Sequence, residues 1–251
     1  MRQPGTAPNI AGVLQQLDGI VADARAQSSR LGFFPALYRR VTRRVAEGIS
    51  SGLFDDGARM NRLDTNFANR YFAALSAHLG GQPTPKAWSV AFGAANEPDV
   101  IALQHLLLGI NAHINVDLGA AVAQVSPGES VRHDFDRIGI ILSELTEQVQ
   151  KELGEVSPRI ADLDILAGRL DERLATFSIR AARDDAWLLS TTLRALPKLL
   201  RPTIERLSDQ KAAFLGKVIA HPVPPARAVV AKVRSAEEPD VRRIIDVLSR
   251  D

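Results

Sequence analysis

Residues 100–128 read Val100-Ile-Ala-Leu-Gln-His-Leu-Leu-Leu-Gly-Ile-Asn-Ala-His-Ile-Asn-Val-Asp-Leu-Gly-Ala-Ala-Val-Ala-Gln-Val-Ser-Pro-Gly128, and the only formal charge among them is Asp117. A run this long and apolar is either a bilayer span or the core helix of a bundle. Gln104, His105, Asn111, His113, Asn115 and Asp117 are spread through it. Burying all of these in hydrocarbon would be costly, so the segment is read as a buried core helix without a membrane span.

The neighbouring segments supply the rest of a bundle. Apolar residues recur at three- and four-residue spacing in Ile10, Val13, Leu14, Leu17, Ile20 and Val21, and in Met60, Leu63, Phe67, Tyr71, Ala74 and Leu75. That is the helical period. The spacing predicts helices over about 10–30, 35–51, 57–79, 129–153, 158–175, 178–196 and 202–220, with a short one around Trp88. A terminal helix is expected over 239–250. Gly80 and Gly81 close the third helix, as glycine does past a helix end, and Asp99 is the expected N-cap of the core helix. The period-two alternation of strands is nearly absent. The implied fold class is all-α, a multi-helix bundle built round a buried central helix at about 100–126. The expected organisation is a flexible tail over 1–8, a helical domain over 9–221, and a Pro-rich linker with a C-terminal helical extension over 222–251.

Composition narrows the function less than the fold. The 251 residues are 45% apolar and 24% charged, with 31 Lys and Arg against 29 Asp and Glu. A net charge of +2 demands no polyanion, and with aromatics at 5% no nucleic-acid partner is expected. The four arginines 39, 40, 43 and 44 are read as a solvated helix face. The absence of cysteine excludes disulfides, thiolate zinc sites and a Cys nucleophile, and fits a reducing cytoplasm. The N-terminal Met-Arg-Gln-Pro-Gly has no apolar run after it and is not read as a secretory signal. Gly48-Ile-Ser-Ser-Gly52 matches a nucleophile elbow by letters, but a helix precedes it where a strand is required.

On a straight helix at about 100° per residue the polar groups of 100–128 sort into two lines. Gln104, Asn111 and Asn115 share one; His113 and Asp117 share the other; Leu103, Leu107, Ile110, Ile114 and Leu118 lie between. Three readings compete for His113 and Asp117. One is a satisfied hydrogen-bond network that fixes helix register. Another is a divalent metal (zinc, iron or manganese), since His and Asp four apart project side by side. The third is an acid–base pair in which the carboxylate orients the imidazole. For a metal, the supporting ligands would be His105, His133 and Asp64. His105 stands eight residues before His113, a rise of about 12 Å, so both reach one ion only if the helix bends, for which Gly109 lies midway. His133 would be returned towards 117–123 by the turn at Pro127-Gly128. Asn111, Asn115 and Arg183 are the candidate ligand-binding groups. The expected function is a small-molecule enzyme, by default a metal-dependent hydrolase, with a non-catalytic binding or scaffold protein as the alternative.

The run His105-Leu-Leu-Leu-Gly-Ile-Asn-Ala-His113-Ile-Asn-Val-Asp117-Leu resembles the signature of a bacterial and fungal family catalogued only as a domain of unknown function. Arg59-Met-Asn-Arg-Leu-Asp64 with Phe67-Ala-Asn-Arg-Tyr71, Trp88 with Phe92, and Arg183 with Ala186-Trp187 resemble its flanking pieces. The resemblance spans about 30–200 and implies a helical fold without naming an activity. The His-x-x-x-Asp spacing is also similar to part of the zinc-dependent phospholipase C and P1-nuclease pattern. The further His and Asp ligands of those families are missing among five histidines.

Overall fold

The computed structural model describes residues 1–125, 131–163 and 179–250. Its elements are α1 (Ile10–Ala26), α2 (Phe33–Ser50), α3 (Gly57–Leu79), α4 (Lys86–Ala94) and α5 (Ala102–Ala112). A π-helical turn (His113–Leu118) leads from α5 into α6 (Gly119–Val125). Then come α7 (Arg132–Val156), α8 (Ile179–Ala195), α9 (Arg201–Ala220), α10 (Ala226–Ala236) and α11 (Val241–Leu248). No strand occurs among the described residues, and the fold is an all-α bundle. Most of the helix expected over 158–175, and the turn at Pro127-Gly128, lie outside the described residues.

Local chemistry sets the helix starts. Asn9 accepts the amide of Gly12 at α1, Asp56 that of Arg59 at α3, and Asp240 that of Arg242 at α11. The core helix departs from expectation. It begins at Ala102, two residues beyond the reach of Asp99, and its free amides are satisfied from elsewhere. The Gln104 amide oxygen accepts from Ile101, and the Glu237 carboxylate accepts from Ala102 at 3.0 and 3.2 Å. A carboxylate at a helix N-terminus answers both the unpaired N–H groups and the helix dipole.

α5, the π turn and α6 form one rod through the middle. The stretch Ala102–Val125 is long and apolar enough to cross a membrane by length and composition, and 78% of its most apolar window is buried in protein. α2, α3, α4, α8 and α9 pack around it, and α7 packs on α2. Two of the crossings need glycine. A Cβ on Gly109 would lie 2.4 Å from the Phe34 ring, and one on Gly119 would lie 2.8 Å from the Ala186 carbonyl oxygen. These distances let α2 and α8 approach the rod more closely than any side chain allows.

The chain ends are attached. Ala7 exchanges two hydrogen bonds with the Asn69 side chain. Ile244, Ile245, Val247 and Leu248 of α11 are buried against α1, α2 and α7. At about 1.5–3 kcal/mol for each fully buried aliphatic side chain, these four hold residues 241–248 on the bundle. The arginine cluster of α2 is not one solvated face. Arg40 turns inward, only 3% exposed, and makes a two-pronged ion pair with Glu152 of α7 at 2.6 and 3.0 Å. Arg39 reaches Asp18 and the Ser249 carbonyl. The helical period leaves this pair invisible, because its partner lies more than a hundred residues away in sequence.

Candidate functional site

The two polar lines on the rod have different fates. Gln104 donates to the carbonyls of Ile219 and Ala220, Asn111 to that of Ala212, and Asn115 to the Asn111 side chain. Ser208 returns a bond to the Asn115 carbonyl. Asn111 and Asn115 are therefore committed to α9 and stand away from the large cavity beside His113.

His113 and Asp117 lie on the π turn, which admits one more residue between hydrogen-bond partners than an α-helix does. The widened turn rotates α6 relative to α5, so the straight-helix placement holds only up to His113. His113 Nδ1 stands 3.1 Å from Asp117 Oδ2, and Trp88 Nε1 donates to the same oxygen at 3.0 Å. Arg70 Nε donates to Oδ1 at 3.2 Å, and its other arm reaches Glu205 at 3.1 Å. A carboxylate only accepts, so Nδ1 carries the proton and Nε2 is left as a bare acceptor. Burial holds the His113 imidazole below its ordinary pKa, with Asp117 opposing that shift. The ring is boxed by Phe34, Tyr38, Phe67, Tyr71 and Trp88, with Phe67 stacked flat against it.

Beyond His113 lies a cavity of about 200 Å³ between α2, α3, the rod and α7, with walls that are almost wholly hydrocarbon. Leu103, Leu107, Ile110, Ile114 and Leu118, the face expected to pack between the polar lines, line this space together with Tyr38, Asp64, Phe67 and His113. An apolar cavity of about 150 Å³ already stays dry and binds benzene. Three buried polar atoms of this lining make no well-formed hydrogen bond: His113 Nε2, Asp64 Oδ2 and the Tyr38 hydroxyl, whose polar neighbour is the Thr42 side chain. Burial alone pushes the Asp64 carboxyl up to about 7. Burial, and after it the neighbouring Asp64 charge, pushes the Tyr38 hydroxyl well above its usual value. Such atoms are uncommon in folded proteins, and this cavity gathers three of them.

The profile of a family of unknown function, DUF5995, matches residues 10–222. This chain belongs to that family. No curated protein and no solved structure matches it. The DUF5995 match ends before α10, so the Glu237 carboxylate that caps the rod, and all of α11, lie beyond it.

In this DUF5995 domain the expected metal ligands are dispersed. Among the described residues no group of three or more His, Asp or Glu side chains is placed to hold a metal ion. His133 is at the surface, 2.8 Å from Asp55. Its neighbour Asp134 explains why. Asp134 is fully buried and accepts from the amides of Asp55 and Asp56 and from Arg59 and Arg137, which fastens the start of α7 to the start of α3. Burial works against its charge, but the Asp55 amide, Arg59 and the Asp56 amide outweigh it and hold its carboxyl below the ordinary value. His105 packs edge-on to Phe33, and burial lowers its imidazole to about 3. Its Nε2 and the Tyr71 hydroxyl, both without a protein partner, line a separate space of about 20 Å³, room for one water. Phe34 forms a wall of both spaces. Arg183 lines the large cavity, but its guanidinium donates to the Phe135 carbonyl and lies 4.7 Å over the Phe135 ring. Burial lowers its pKa.

Sequence reasoning misses Tyr38 and Arg70. Tyr38 sits beside Arg39 and Arg40 on α2, where nothing local says that its hydroxyl turns to the cavity. Arg70 stands inside the Phe67–Tyr71 piece, but nothing local says that it crosses to Asp117.

Proposed function

We propose that this protein binds a small, largely apolar molecule bearing one neutral polar group, and acts on it by proton transfer. The observation that carries the reading is the unpartnered Nε2 of His113 on the same hydrocarbon-lined cavity as the unpartnered carboxyl oxygen of Asp64. Asp117 fixes the imidazole tautomer, so Nε2 takes a proton from the ligand or from an attacking water. Asp64, half protonated near neutral pH, gives one to the group that gains electrons, and Tyr38 donates a hydrogen bond beside it. Two groups whose surroundings favour opposite protonation roles make a matched acid and base. Hydrolysis is one reaction that the pair can run. An anionic head group is disfavoured, because the Arg183 guanidinium on the lining is already held by the Phe135 carbonyl and ring.

The buried-network reading accounts for Asp117, which is fully engaged, but leaves His113 Nε2 and Asp64 Oδ2 without partners. The metal-dependent form would hold zinc, iron or manganese on His113 Nε2 and Asp64, in the manner of a carboxylate-oriented metal histidine. Two side chains are fewer than the three of catalytic zinc sites, which favours the metal-free form.

The test is displacement of the neutral dye Nile red from protein purified without a His tag, together with metal analysis of the same sample. Medium-chain alcohols and ketones should displace the dye and the matching carboxylates should not. Asp64→Leu should keep the fold and weaken the alcohols selectively. Dye that does not bind, or equal displacement by carboxylates, overturns the ligand reading. Stoichiometric metal lost in His113→Ala overturns the metal-free form.

A further inference from the structure

α9 buries one side against α4 and the rod and turns the other outward. Its outward side carries large apolar groups where a solvated helix carries polar ones. Leu200 is 49% exposed, Leu207 56%, Phe214 73% and Val218 48%. At 100° per residue these four fall within about 40° of one another, a single stripe. A stripe of this kind on a soluble surface calls for a partner.

The charges beside it are one-sided. Arg206 and Lys217 flank the stripe on one edge and Lys211 on the other, all exposed. The two acids of the helix are engaged inward: Glu205 holds Arg70, and Asp209 accepts the amides of Lys86 and Ala87 at the start of α4. Outside the helix, Asp185 pairs with Lys211 at 2.6 Å. We infer that α9 lies along the surface of an anionic bilayer, with Leu207, Phe214 and Val218 in the headgroup–acyl boundary and Arg206 and Lys217 on the lipid phosphates.

Three features favour a bilayer over a protein. The stripe is exposed, and none of the described pockets is lined by its residues. A second copy packed antiparallel about the middle of the stripe would bring Lys211 near its own equivalent. A coiled-coil partner needs an unbroken apolar seam, and the heptad that sets Leu207 and Phe214 at one seam position and Ile204 and Val218 at the other puts Lys211 in the middle of it. An apolar stripe with Lys and Arg on its flanks is the pattern of helices that lie in the interface plane. Leu199, 87% exposed, and Val223, 64% exposed, lengthen the edge at either end. The surface is separate from the cavity.

Flotation with vesicles of phosphatidylcholine alone, or of phosphatidylcholine with phosphatidylglycerol, tests this on the full chain. The wild type should float with the anionic vesicles and lose binding as salt rises. Leu207→Ser with Phe214→Ser should weaken partitioning by roughly tenfold or more. Arg206→Glu with Lys217→Glu should abolish the preference for anionic lipid. Both pairs are surface positions, so thermal melts and Nile red binding should be unchanged. The inference is overturned by absence of flotation, by flotation indifferent to both pairs of substitutions, or by binding to polyglutamate without binding to vesicles. A dimer that the serine pair dissolves would overturn it in favour of a second copy.

Discussion

The imidazole of His113 lies flat against the phenyl ring of Phe67, with ring centroids 3.5 Å apart and planes 8° from parallel. Phe67 is three residues after Asp64 on α3, so one face of one helix supplies both the carboxyl group and the plate that sets the plane of the imidazole. On the other side Asp117 fixes which nitrogen holds the proton. The ring is thus held in plane by α3 and in tautomer by the π turn, and only Nε2 is left free.

Replacing Phe67 by Leu removes the plate and keeps an apolar side chain of similar reach. Aromatic pairs contribute about 0.5–1.5 kcal/mol beyond their area, so the loss of stability should be of that size. The His113 ring protons, shielded by the stacked phenyl, should move downfield in the proton NMR spectrum. A spectrum in which they do not move would mean that the ring does not rest on Phe67 in solution.

Asp64 makes stability depend on pH in a direction unusual for a carboxylate. Its pKa rises from 3.8 in the open chain to about 7 in the fold. Between those values the folded state binds the extra proton, so the contribution of this group to stability is full below about 3.8 and is lost as pH climbs through 7. Asp64→Asn should melt above the wild type at pH 8, by on the order of a few kcal/mol, and the gap should close towards pH 4. His105 and His113 act oppositely, since burial lowers both and the open chain takes up their protons first as pH falls. Taking the difference between variant and wild type cancels them. A gap that does not change with pH would place Asp64 in contact with solvent.

The legibility of the fold and the site in the sequence tracks the range of the forces involved. Helix periodicity is local, so α3 is readable to the residue at Gly57–Leu79, and α8 and α9 to within a residue at each end. Helix starts that depend on distant groups are not: Glu237 caps α5 from 135 positions away. The pairing of His113 with Asp117 can be read from a spacing of four. The π turn that carries them cannot, because nothing in His-Ile-Asn-Val-Asp-Leu distinguishes a widened turn from an α-helical one. Asp64 is visible as an acid beside an apolar stripe, whereas the burial that raises its pKa is a fact of packing. The expected place of His133 fails because chain direction alone does not give the return of α7. Its docking is set by Asp134, whose four donors come from the start of α3 and from α7 itself.

Gly109 tests whether the α2–α5 crossing shapes the cavity. A methyl group there meets three carbons of Phe34 at 2.4–2.7 Å, too near for any rotamer to relieve without moving the ring. Phe34 is shared between the large cavity and the small one beside His105, so displacing it should alter both. Gly109→Ala is expected to cost about 1–3 kcal/mol, the usual range for overpacking, despite the better helix propensity of alanine. Nile red affinity should fall with it. Unchanged stability and affinity would show that α2 yields freely.

The Arg40–Glu152 pair offers a sharper energetic test. Both side chains are nearly buried, at 3% and 10% exposed, and Gln148 adds a third donor to Glu152. Taking two charges out of water is costly, and their attraction offsets this only while both are present. Removing one partner should therefore be worse than removing both. Arg40→Met or Glu152→Leu alone should lose about 3–5 kcal/mol in urea unfolding, each leaving one charge stranded between α2 and α7. The double variant should recover most of that loss and come near the wild type. The coupling in such a cycle measures the pair itself. Additive losses from the two single variants would mean that water reaches the pair and that α2 and α7 are held together by hydrocarbon alone.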